Sequence, residues 1–140
     1  TYSVDPSGGT RGLLIPPLNA FQAAGPGDTL SILGTTGNPG TRTNLALVEL
    51  SAPVRTPATV RVRIEIQDER AAVLDVISVT VPVAGGNQLG DLFRSRGLGD
   101  GPAAALIRIS PLEGMIGAYA TGIDRGTNDS TYFAANLEAK

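Results

Sequence analysis

The stretch Ala58-Thr59-Val60-Arg61-Val62-Arg63-Ile64-Glu65-Ile66-Gln67 alternates apolar and polar residues without a break. Successive strand side chains point to opposite faces, so Val60, Val62, Ile64 and Ile66 share one face and Arg61, Arg63 and Glu65 the other. One dry face and one wet face predict a strand of an antiparallel sheet that covers a core. The polar run Gln67-Asp68-Glu69-Arg70 reads as a turn. The apolar segment 73–81 returns as the second arm of a hairpin.

The same kind of pattern recurs along the chain. Segment 28–34 predicts a strand with Leu30 inward and Leu33 a candidate for the same face. Segment 43–50 carries Leu45, Leu47 and Val48, and 104–110 carries Leu106, Ile107 and Ile109. Segment 115–124 alternates around Tyr119 among Gly and Ala, a composition that lets something pack close to it. Segment 131–137 is a last short strand. Leu89, Leu92 and Phe93 stand at i, i+3 and i+4, which predicts one or two helical turns near 88–95. Loops built on Gly, Pro, Asn and Asp separate these elements at 35–42, 84–87, 97–102 and 126–130. About seven or eight strands with turn signals every ~8–14 residues predict an all-β fold, a two-sheet antiparallel β-sandwich (Ig-like).

The first 18 residues read differently. Pro6, Gly8, Gly9 and Gly12 make a flexible arm, followed by Leu13-Leu14-Ile15-Pro16-Pro17-Leu18. The Pro pair removes two backbone donors, so this apolar segment suits an edge or a laid-on strand. The organisation expected is an arm over 1–18 and a sandwich domain over 19–140. An apolar extended segment on a loose tether is what a strand lent to a neighbour needs, and it equally suits an arm folded back on its own domain. Leu13, Leu14, Ile15 and Leu18 are therefore candidate self-assembly residues.

Composition narrows the chemistry. The 140 residues hold no Cys and no His, which excludes a disulfide frame, thiolate zinc sites and the usual base of nucleophilic catalysis. Lys140 is the only Lys, so a Ser-Lys pair is disfavoured as well. The 18 Gly and 10 Pro, one residue in five, favour turns over long helices. A net charge of −2 argues against a nucleic-acid partner. No apolar run reaches the ~18 residues of a membrane span, and Thr1 opens no signal-peptide pattern.

From Arg42 onward the order of signals resembles a known module. Arg42-Thr43-Asn44-Leu45 opens a strand, 58–81 is a hairpin, and Gln88-Leu89-Gly90-Asp91-Leu92-Phe93 is a helical turn. Ala118-Tyr119-Ala120-Thr121-Gly122-Ile123-Asp124-Arg125-Gly126-Thr127-Asn128-Asp129-Ser130-Thr131-Tyr132 closes the domain. This is similar to a bacterial extracellular β-sandwich module of uncharacterised function, with Thr121 where the module usually has Ser and Ser130 where it has Pro. The resemblance implies a secreted or surface setting and a sandwich architecture, not a chemistry.

The densest polar cluster is Asp124-Arg125-Gly126-Thr127-Asn128-Asp129-Ser130. Asp124, Asn128 and Asp129 offer oxygen ligands to Ca²⁺, but the spacing fails the EF-hand pattern, and a turn whose side chains bond their own backbone is preferred. Asp68 and Glu69 suit a solvated turn better than an acid–base pair. Arg61 and Arg63 suit a solvated sheet face better than an anion patch. Gly85 to Gly90 lacks the Lys-Ser/Thr ending of a phosphate loop. Tyr119 suits core or edge packing better than a sugar platform. The leading expectation is a non-enzymatic structural subunit of an extracellular or cell-surface assembly, a filament-like homopolymer whose partners are copies of itself. The alternative is a secreted accessory or adhesion module that binds a surface glycan or protein. No cofactor, metal or catalytic residue is expected.

Overall fold

The computed structural model describes residues 2–4, 10–12, 23–50 and 59–139. Strands β1 (Tyr2–Val4) and β2 (Thr10–Gly12) pair antiparallel as a separate two-stranded ladder. The remaining strands are β3 (Leu30–Thr35), β4 (Thr41–Glu49), β5 (Thr59–Gln67), β6 (Val73–Pro82), β7 (Gly86–Leu89), β8 (Ala105–Pro111), β9 (Ile116–Asp124) and β10 (Ser130–Leu137). One short helix, α1 (Leu92–Ser95), follows β7. The candidate residues Leu13, Leu14, Ile15 and Leu18 lie outside the described residues.

The eight strands β3 to β10 form a single antiparallel sheet in the order β6-β5-β8-β3-β10-β9-β4-β7. This corrects the expected two-sheet sandwich: the sheet is one nearly closed barrel. β10 carries it around the corner, because residues 130–134 pair with β9 while residues 135–137 pair with β3. The two edge strands, β6 and β7, meet through a tight turn in which the Gly85 N–H donates to the Pro82 carbonyl at 2.9 Å. Next to that turn, Asn87 Nδ2 donates to the Thr80 carbonyl at 2.9 Å and bridges the seam. Alternation of dry and wet residues is the same on a barrel wall and on half of a sandwich. The sequence pattern therefore could not separate the two.

Inside the barrel, Val60, Val62, Ile64 and Ile66 of β5 are buried, as their alternation requires, while Arg61 and Arg63 are exposed. They pack with Ile107 and Ile109 of β8, Leu30 and Ile32 of β3, and Leu45 and Leu47 of β4. Two local expectations change. Leu33 faces outward and is 65 % exposed, as alternation from the inward Leu30 and Ile32 requires, and the irregularity at Gly34 (φ +95°) then turns Thr35 inward. The helix is shorter than 88–95, since residues 86–89 are spent on β7, which pairs with β4.

Antiparallel order puts the end of β3, β5, β7 and β9 and the start of β4, β6, β8 and β10 at one rim. At this rim α1, packed beside β4, buries Leu92 and Phe93 in the core. The opposite end is closed around Glu49, 2 % exposed, whose carboxylate accepts the N–H groups of Met115 at 2.7 Å and Ala84 at 3.4 Å. Among the described residues, no helix is long and apolar enough to cross a membrane.

Candidate functional site

At the same rim, the inward-facing ends of β4, β9 and β10 border an open cleft. Thr43, Gly122 and Thr131 are cross-strand partners, as are Thr41 and Asp124. They occupy the inward register that Leu45 and Ala120 hold one layer deeper. A cleft of about 380 Å³ opens here between Thr41, Thr43, Gly122, Thr131 and Phe133. Thr36, Asp124, Thr127 and Asp129 complete its rim. Gly122 leaves it open: a Cβ there would lie 3.2 Å from the Phe133 ring and 3.6 Å from Thr41 Cγ2.

The hydrogen-bonding capacity of this cleft is largely unspent. Thr43 is 2 % exposed, and its hydroxyl bonds to no described residue. The same holds for the hydroxyls of Thr36, Thr41 and Thr131 and for the Asp129 carboxylate. Next to Thr36, Thr35 is fully buried with an unpartnered hydroxyl. Thr36, Thr131 and Asp129 are exposed, so Thr35 is the buried hydroxyl here that goes unpartnered, while the others face the cleft.

The β9–β10 turn forms the outer lip. Asp124 Oδ1 accepts the N–H of Gly126 at 2.8 Å and of Thr127 at 2.9 Å. Asn128, at φ +61°, donates its N–H to the Asp124 carbonyl at 2.7 Å. These are the self-bonded contacts of a tight turn. The backbone donors of Thr127 and Gly126 hold the Asp124 carboxyl below the usual range. Among the described residues, no three His, Cys, Asp or Glu side chains gather as a metal-sized group. The lip is fastened to its neighbours. Arg125 donates its backbone N–H to Gly40 at 2.7 Å, and one guanidinium nitrogen reaches both carboxylate oxygens of Asp91 at 3.0 Å. Asp91 is held in turn at φ +45°, with its N–H on Asn44 Oδ1 at 2.8 Å.

The other candidates resolve as structural contacts. Arg61 pairs with Glu113 at 2.8 Å and Arg63 with Glu65 at 3.3 Å on the outer face. Beside them, Arg108 bonds Glu138 at 2.8 Å and Ser31 donates to the same carboxylate. Arg108 and then Ser31 hold the Glu138 carboxyl down to about 2. Asp68 accepts the N–H groups of Arg70 and Ala72 within its hairpin turn. Tyr119 sits half-buried on the outer face, its ring 5.6 Å from that of Tyr132.

Of the sequence candidates, the structure brings Asp124 and Asp129 into the cleft and leaves Asn128 in the turn. Sequence reasoning missed Thr36, Thr41, Thr43, Thr131 and Phe133. A signal was present for two of them: Thr41 and Thr43 precede Leu45 and Leu47 at alternate positions, so they are polar residues in the dry register of a strand.

The fold is similar to that of a solved crystal structure, Thermotoga maritima 1070, with a TM-score of 0.55 and 14 % sequence identity over 80 % of this chain and 92 % of that one. At that identity the likeness bears on the fold alone. No family model and no curated protein matches the sequence.

Proposed function

We propose that this chain is a non-catalytic binding module whose barrel mouth takes a small polar ligand. The observation that carries this reading is Thr43, a residue 2 % exposed whose hydroxyl has no described partner and opens on a cleft lined by further uncommitted hydroxyls. A ligand seated in the cleft can take up these hydrogen bonds. The volume falls at the low end of the roughly 300–1,000 Å³ of small-molecule sites, and barrel mouths are a frequent place for them. The charged groups in the cleft are carboxylates, which disfavours anions. Catalysis has little to work with: the chain has no His, and backbone donors keep Asp124 ionised near neutral pH. A secreted or surface accessory module is the setting that suits such an activity.

The assembly reading draws less support. The free edge of β6 is partly occupied, with the Val76 N–H taken by Asp75 Oδ1 at 2.9 Å and the Thr80 carbonyl by Asn87. Such caps discourage strand addition. The test is a thermal-shift screen with simple sugars, polyols, amines and carboxylic acids. A binding module gains Tm with ligand concentration by mass action. Thr43→Val should keep the fold and lose the response. A response that survives this substitution contradicts the proposed site.

A further inference from the structure

We infer that the ligand of the barrel mouth is a neutral pyranose ring, set with one face on Phe133 and its hydroxyls shared between Asp129 and the threonines; this rests on the reading of the mouth as a ligand site. The cleft can still make hydrogen bonds of both kinds. Each threonine hydroxyl donates once and accepts twice, whereas the Asp129 carboxylate only accepts. Thr41, Thr43, Thr131 and Asp129 are all uncommitted, so a matching ligand must donate and accept at several adjacent positions. Neighbouring sugar hydroxyls do both. An ammonium group offers donors alone, and a carboxylate offers acceptors alone.

Shape points the same way. Thr43 on β4 and Thr131 on β10 face each other across Gly122, which contributes no side chain. Two strand spacings separate their backbones, roughly 9–10 Å. With both side chains turned inward, the gap left over Gly122 suits one flat ring bearing hydroxyls on opposite edges. Phe133, half-buried beside Gly122, supplies an apolar wall for the C–H face of that ring. Charge excludes the acidic variants. No Lys or Arg lines the cleft, and Asp124 and Asp129 repel a uronic acid. Asp129 is the one uncommitted carboxylate there, while Asp124 spends an oxygen on two backbone donors.

Calorimetry on the whole chain tests this with the methyl pyranosides of glucose, mannose and galactose, their 2-amino-2-deoxy derivatives and their uronates. At least one neutral pyranoside should bind, with uronates rejected. Thr43→Val should weaken that binding about tenfold, as loss of one hydrogen bond does, and Thr43→Ser should restore it. Asp129→Asn should weaken the neutral sugar and admit the matching uronate, a reversal that a merely structural role for Asp129 would not produce. If amino sugars and simple amines bind and neutral sugars do not, the mouth is a cation site: the sugar inference fails and the binding-module reading stands. If none of these probes, nor any compound of the thermal-shift screen, binds, both fail together.

Discussion

Strand β4 turns a polar side chain into the barrel near each end, and the two have opposite surroundings. Thr43 and Glu49 are both 2 % exposed. Glu49 is met by the backbone N–H groups of Met115 and Ala84, in an end so tight that a Cβ on Gly114 would collide with its carboxylate. Thr43 is met by an open cleft and no described partner. A buried polar group whose bonds are supplied by its own chain is part of the architecture. One whose bonds are left unmade at a cavity is available to something else. The closed end and the open end of one strand thus divide stability from binding.

The division is tested most strongly through the core on which both ends depend. Ile64→Ala removes a fully buried side chain and should cost about 2–5 kcal/mol in denaturant unfolding. Glu49→Ala strands two backbone donors and should cost about 2–4 kcal/mol, while Glu49→Gln, which keeps an acceptor, should cost less. Thr43→Val should change stability by under about 1 kcal/mol in either direction and act on ligand binding instead. If Thr43→Val destabilises as much as Glu49→Ala, the two ends are alike and the comparison collapses.

Acid separates a third group from both ends. The Glu138 carboxyl is held to about 2 in the folded chain, from an ordinary value of 4.5. A depressed carboxylate stabilises above its unfolded value and loses that contribution as pH falls through its folded value. The gap in unfolding midpoint between wild type and Glu138→Gln should therefore be full at pH 7, shrink below about 4.5 and vanish near 2. A gap independent of pH would mean that the Arg108 contact contributes nothing. The smallest effect belongs to Arg63→Ala, on the outer wall. It should cost under about 0.5 kcal/mol, since a half-exposed ion pair is largely screened.

The wall formed by β5 was legible residue by residue, because every second position from Val60 to Ile66 is a large aliphatic and every intervening one is charged. Closure of the sheet was not legible. It depends on β10 leaving β9 for β3 midway, and Ala134 and Ala135, where the change occurs, carry no periodic signal. Leu33, three residues after the inward Leu30, is outward by alternation alone; what alternation cannot register is the irregularity at left-handed Gly34, which turns Thr35 inward. The cleft was half legible. Its acidic lip stood out as a dense polar run, but its floor is assembled from single Thr, Gly and Phe residues on three strands, and only their pairing brings them together.

The most direct test of the central claim is a map of backbone amide shifts in the whole chain as a neutral methyl pyranoside is added. Binding at the barrel mouth predicts saturable shifts at 36–43, 122–124 and 129–133, with Ile64, Glu49 and Tyr119 unmoved and the shifts abolished in Thr43→Val. Shifts centred on the outer Tyr119–Tyr132 pair, or unchanged by Thr43→Val, would contradict the account.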